Sequence, residues 1–205
     1  MSDAIITRHG SGGLAEIEFD NFAIESDLPR YTPMALSVAR HSLAAATVGN
    51  YAVFGGGHGP LYEGVTLKST VDAYNDGLTR STPTALSVAR QWLAAATVGN
   101  YAVFGGGYTV DLSVSSTVDA YNDELTRYTP TGLSVARQWL AAATVGNYAV
   151  FGGGSTGSVS STVDAYNDEL TRSTPTALSV ARQWLAAATV GGYAVFGGGD
   201  TADVL

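Results

Sequence analysis

The amino-acid sequence predicts an all-β protein built from four tandem units, each a small antiparallel sheet. Three observations carry the prediction. One block of sequence recurs four times, all length variation between copies falls in a single segment, and every copy contains two strand-like runs around a two-residue turn. Composition agrees: the 205 residues are 45% hydrophobic and 14% charged, with 25 glycines, enough apolar material to bury a core and enough glycine for many turns.

The repeat outranks local propensity. The run LSVARQWLAAATVGNYAVFGGG, from Leu86 to Gly107, recurs letter for letter at 133–154 and returns at 178–199 with Gly192 in place of Asn. A more divergent copy, with His41 and Ser42 for Gln and Trp, occupies 36–57. A second block, STVDAYND followed by Glu or Gly and LTR, begins at Ser69, Ser116 and Ser161. Arg40, Arg90, Arg137 and Arg182 are 50, 47 and 45 residues apart. The segments between GGG and the next STVDAYN, residues 58–68, 108–115 and 155–160, account for the whole drift. Per-repeat insertions of this kind map to loops on one face, often the binding face.

Each unit reads as four strands. Ala and Leu make ALSVARQWLAAA a helix former by propensity alone. LAAATV, however, runs through Gly-Asn into YAVF, and two such residues between apolar runs predict a tight hairpin of type I′, with positive φ at both central positions. Strand a is therefore expected at Leu93–Val98 and strand b at Tyr101–Gly105. Strand c is expected at Thr117–Tyr121, with Thr117, Asp119 and Tyr121 on one face and Val118 and Ala120 on the other. Asn122-Asp123 turns c into strand d, near Leu125–Thr129, which Pro130 ends. Asp72, Asp119 and Asp164 are expected to pair with Arg80, Arg127 and Arg172 on the neighbouring strand d.

Charge and residue usage exclude several classes. Ten basic against eighteen acidic residues give a net charge of −8, and Lys68 is the single lysine. This argues against sequence-independent nucleic-acid binding and against docking on anionic lipid. With no cysteine there is no disulfide, thiolate metal site or cysteine nucleophile. No apolar run reaches the ~18 residues of a membrane span, and the amino terminus lacks the pattern of a secretory signal. GGG recurs at a strand end with no helix signal after it, so it does not read as a phosphate loop. His9, His41 and His58 lack metal-ligand spacing, although two of them could meet on the first unit. Recurring acids give no unit its own carboxylate pair. No enzyme, cofactor or metal is expected.

A strand ending in Gly-Gly, a variable loop, a strand ending in Tyr and a period near 50 together resemble the Kelch repeat, over roughly residues 28–205. Leu78, Leu125 and Leu170 stand where that repeat usually has an aromatic, so the resemblance is to a divergent, bacterial-looking type. It implies a β-propeller of four blades, each of four antiparallel strands, with strand a innermost. LPRYTP at 28–33 matches LTRYTP at 125–130, so an amino-terminal strand d is expected to complete the last blade, with residues 15–21 or, in competition, TADVL at 201–205 as its strand c. Residues 1–27 form the expected attachment segment, and a ring shared between chains is the alternative closure.

In this architecture the d–a and b–c connections share a face. Arg40-His41, Arg90-Gln91-Trp92, Arg137-Gln138-Trp139 and Arg182-Gln183-Trp184 are thereby expected to surround the mouth of a central channel, with His58, Tyr62 and Tyr108 on the adjoining loops. These are the candidate ligand-binding residues. Each Arg reads equally as a structural support for loop carbonyls, and each Trp as packing between blades or as a binding platform. The opening SDAIITRHGSGG is similar to the starts of some tail proteins of phages of Gram-positive bacteria. The resemblance implies a non-enzymatic module of a virion appendage at the virion surface or cell exterior. Its expected partners are neighbouring subunits, host surface glycan or protein, or further copies of itself. The alternatives are a cytoplasmic Kelch-type adaptor for protein–protein contacts and a designed consensus propeller.

Overall fold

The computed structural model describes residues 32–60 and 66–201, and among these the chain is all-β without a helix. Unit one contains β1 (Ala44–Val48), β2 (Tyr51–Gly55), β3 (Val71–Tyr74) and β4 (Arg80–Ser81). Unit two contains β5 (Arg90–Gln91), β6 (Ala94–Val98), β7 (Tyr101–Gly105), β8 (Tyr108–Thr109), β9 (Val118–Asn122) and β10 (Arg127–Tyr128). Unit three contains β11 (Ala141–Val145), β12 (Tyr148–Gly152), β13 (Val163–Asn167) and β14 (Arg172–Ser173), and unit four β15 (Ala186–Val190) and β16 (Tyr193–Gly197). Units one to three each form a four-stranded antiparallel sheet in chain order a-b-c-d, and β5 and β8 add a short ribbon to unit two. In unit four the described residues supply the a–b hairpin. The closing strands expected at 15–21 and 28–33 lie outside the described residues, Thr32 and Pro33 apart, as does Tyr62.

The Ala-rich run is a strand despite its helix propensity because the turn leaves no alternative. Val48 pairs with Tyr51, Val98 with Tyr101 and Val145 with Tyr148, so two residues close each hairpin. The turn differs from the expected type I′. Gly49, Gly99 and Gly146 take φ of +50°, +49° and +52°, and the following Asn does not take positive φ. Glycine first and an ordinary residue second is the arrangement of a type II′ turn, which also matches the twist of the flanking strands.

Strand c departs from its predicted alternation. All of Val118, Asp119, Ala120 and Tyr121 are buried, because a sheet flanked by neighbours has no solvent face. Strand d is shorter than expected, two residues in each of units one to three. Asn122 shapes the c–d turn: its Oδ1 accepts from the Thr126 and Glu124 amides at 2.7 and 3.2 Å, while Leu125 sits at φ +61°.

The core lies in the seams between units. The Ala-rich strands follow one another in the order β1, β6, β11, β15, each beside the next. One apolar cluster joins Ala44, Val48, Val53, Val71 and Ala73 of unit one to Leu86, Leu93, Ala102, Phe104 and Tyr121 of unit two. The next joins Val98, Val103, Val118 and Ala120 to Leu133, Leu140, Ala149, Phe151 and Tyr166. Alanine lets neighbouring strands approach closely, and glycine does the same at the strand ends. A Cβ on Gly56 would lie 2.7 Å from the Arg90 carbonyl oxygen, and the neighbouring Gly57 amide donates to that oxygen at 2.9 Å.

Candidate functional site

The segment LSVAR leads each Ala-rich strand and carries the arginine. In units one to three the guanidinium is fully buried against the aspartate of strand c: Arg40–Asp72 at 2.7 Å, Arg90–Asp119 at 2.8 Å and Arg137–Asp164 at 2.8 Å, with no exposure on either side chain. Arg90 also donates to the Phe104 carbonyl at 3.3 Å, and Arg137 to that of Phe151 at 3.2 Å. The expected aspartate partners on strand d are present at longer range, with Arg80, Arg127 and Arg172 at 3.6, 3.8 and 3.9 Å. The closer, buried partner is the arginine that precedes strand a. Each aspartate also accepts a backbone amide through Oδ1, from Ser37, Ser87 and Ser134.

These environments shift the groups in readable directions. Burial lowers the Arg90 and Arg137 guanidiniums from their ordinary value, against the opposing pull of the facing carboxylates. At Asp72 burial acts to raise the carboxyl, but the hydrogen bonds from Ser37 and Arg40 and the Arg40 charge outweigh it and hold it below its ordinary value. Burial, helped by the neighbouring aspartates, pushes the Tyr121 and Tyr166 phenols well up, so both stay protonated and donate at 2.8 Å to the Thr84 and Thr131 carbonyls.

The residues after the arginine form a ladder along the array. Ser42, Trp92, Trp139 and Trp184 occupy equivalent positions with φ between +53° and +57°, a region that bulky residues rarely adopt. Each main chain bonds the previous one: the amides of Trp92, Trp139 and Trp184 donate at 3.0 Å to the carbonyls of Ser42, Trp92 and Trp139. The indoles follow suit, with centroids 5.1 Å apart for Trp92–Trp139 and 4.7 Å for Trp139–Trp184. Their tilts of 52° and 48° turn each ring toward its neighbour. Trp92 and Trp139 are half-buried, whereas Trp184 is 53% exposed.

Beside the ladder, each variable loop begins by pairing with the residue after the arginine. His41 pairs with His58, Gln91 with Tyr108, Gln138 with Ser155 and Gln183 with Asp200. The structure thus brings the predicted residues of two separate segments to one rim. His41 and His58 stack with centroids 5.2 Å apart, their Nδ1 atoms directed to Ser42 Oγ and the Gly59 carbonyl. Among the described residues no third ligand-type side chain joins them. Tyr108 lies 5.6 Å from Trp92, centroid to centroid. Its loop is knitted by Asp111, which Thr109 and Ser113 hold below the usual carboxylate range.

Sequence reasoning missed the Arg–Asp pair as the unit's central device. The signal was available, since every unit with an STVDAYND block also has the arginine at a matching place. Arg182, in the unit whose described residues include no strand c, directs its guanidinium instead to the Gly198 carbonyl. Two shallow depressions lie apart from the ladder, one beside Tyr128, Pro130 and Glu169 and one around Asn50, Asn75 and Asp123. No protein-family model matches the chain, and no curated protein matches it.

Proposed function

We propose that the chain is a non-enzymatic binding module, a Kelch-like β-propeller array whose ligand-facing surface is the row of variable loops along the Trp ladder. The observation that carries this reading is the contrast at one structural position. His58, Tyr108, Ser155 and Asp200 occupy equivalent places on nearly identical supports, yet differ in charge, size and hydrogen-bonding capacity. His58 and Ser155 are buried there, Tyr108 is half-buried and Asp200 exposed, so the loops differ in chemistry and in what they present to solvent. Side-by-side Ala-rich strands and sheets in a-b-c-d order support the propeller reading.

The reading redefines the candidates. The guanidiniums of Arg40, Arg90 and Arg137 are closed off by their carboxylates and serve as supports. The ligand-facing set becomes His41, Tyr108, Gln183 and the exposed face of Trp184, while the buried His58, Gln91 and Gln138 join the arginines as supports. A virion appendage that meets host glycan or protein is the setting that the amino-terminal resemblance implies.

The test is a loop exchange read on glycan and peptide arrays. Replacing residues 58–68 by the shorter 155–160 loop should preserve the melting temperature and abolish or redirect whatever binding the parent shows. A chimera that fails to fold, or one that binds as the parent does, would overturn the assignment of this loop as the variable ligand-facing element.

A further inference from the structure

The last described unit exposes strand residues whose equivalents in unit two are buried. Val98 is 1% exposed and Val103 0%, whereas their repeat equivalents Val190 and Val195 are 64% and 50% exposed. Tyr193 is 74% exposed where Tyr101 packs against a seam core. Ala186 and Ala188 are exposed where Ala94 and Ala96 are buried. At the other end, Phe54 and Leu43 of unit one are half-exposed, while their equivalents Phe104 and Leu93 are buried. The molecule therefore carries both halves of its own internal seam on separate surfaces.

The polar groups of the two surfaces match in the same way. In the internal seams the Thr97 and Thr144 hydroxyls each donate at 2.6 Å to the carbonyl of the preceding unit's threonine, and Thr189 does likewise to Thr144. Continuing the pattern requires an acceptor ahead of Thr47 and a donor for the Thr189 carbonyl. Gly57, Gly107 and Gly154 donate to the carbonyls of Arg90, Arg137 and Arg182 in the following unit, at 2.8–2.9 Å. Gly199 on unit four is the equivalent donor, and the Arg40 carbonyl on unit one the equivalent acceptor. The Trp184 carbonyl and the Ser42 amide form a third such pair. Shape agrees as well: Gly55, Gly105 and Gly152 face Phe104, Phe151 and Phe196 of the next unit, while nothing among the described residues lies within 4 Å of the Cβ position of Gly197.

We infer that a second copy of this chain docks head to tail here, its unit one covering the outward face of unit four. Phe54 of the incoming copy then seats over Gly197, and Val190, Tyr193 and Val195 enter the same kind of core that Val98, Tyr101 and Val103 already occupy. An interface of this kind is heterologous and leaves a free head and a free tail after each addition, so it grows into a closed ring or an open filament according to the rotation per copy.

The experiment combines native mass with complementary blocked faces. Wild-type chain should exceed the 21.1 kDa monomer by whole multiples in concentrated solution. Val195→Glu on the tail face and Phe54→Glu on the head face should each reduce the assembly to monomer, with circular dichroism checking that both remain folded. Mixed together, the two variants retain one good head and one good tail, so they should form a dimer and nothing larger. A wild-type chain that stays monomeric at high concentration overturns the inference. So do an assembly that survives both substitutions and a mixture of folded variants that stays monomeric. If Phe54→Glu unfolds the chain, Leu43→Glu on the same face takes its place under the same criteria.

Discussion

Units two and four share almost the same sequence through their a–b hairpins and live in different surroundings. In unit two, β6 and β7 have a sheet on either side, Arg90 is fully buried against Asp119, and Val103 is inaccessible to solvent. In unit four, β15 and β16 adopt the same register, from Ala186 opposite Gly197 to Val190 opposite Tyr193, with one face open. The conformation of the hairpin is thus set locally, by the Gly-first turn and the alternation of strand residues. Burial is set by the neighbours, and the ion pair by the unit's own strand c. In a stacked array the two contributions separate into an intrinsic part and a nearest-neighbour part.

The largest difference between the two units is the ion pair. Asp119→Ala leaves the buried Arg90 guanidinium uncompensated and should cost about 3–5 kcal/mol by denaturant unfolding. Arg182→Ala, at the equivalent place in unit four, should cost under about 1 kcal/mol, because no carboxylate among the described residues closes on it. Equal losses would mean that the buried carboxylate of strand c adds nothing to the arginine's role. Next comes a matched pair of truncations. Val103→Ala should destabilise by roughly 2 kcal/mol through lost burial and the cavity left behind, and Val195→Ala by under about 0.5 kcal/mol in the monomer. Tyr121→Phe removes the hydroxyl that bonds the Thr84 carbonyl and should cost about 1 kcal/mol, visible as a lower denaturant midpoint at unchanged slope.

The smallest effect concerns acid. The folded-state value of Asp72 lies below its ordinary 3.8, so the carboxylate's contribution is complete above that value and fades as pH falls through the folded one. Stability measured from pH 5 down to pH 2 should therefore fall less steeply in Asp72→Asn than in the parent. An identical slope in the two proteins would remove Asp72 from the acid transition.

Much of this was legible in the repeat itself. Strand b was placed to the residue at Tyr101–Gly105, and strands a and c within one residue of their ends, because the two-residue turn and the recurring blocks leave little freedom. The conjunction of the Arg-Gln-Trp segments with the variable loops followed from strand order. The Arg90–Asp119 pairing did not, because a register between neighbouring strands suggests Arg127 as partner and hides the arginine that arrives from before strand a. Nor did the positive φ at Trp92, Trp139 and Trp184, since that backbone state is imposed by the amide-to-carbonyl ladder running across units and not by the residue type. Burial of both faces of strand c was likewise invisible to a reading made one sheet at a time.

The threonine hydroxyls of the Ala-rich strands have one further consequence. Thr97, Thr144 and Thr189 make the same bond to whichever unit comes before, so every junction in the array is interchangeable with every other. Deletion or duplication of a whole unit would therefore produce a junction with the same threonine bond as those already present. Copy number becomes a property that can change by whole units, while the loops, whose last residues Lys68, Ser115 and Ser160 accept from the next unit's arginine amide, vary in length ahead of that fixed end.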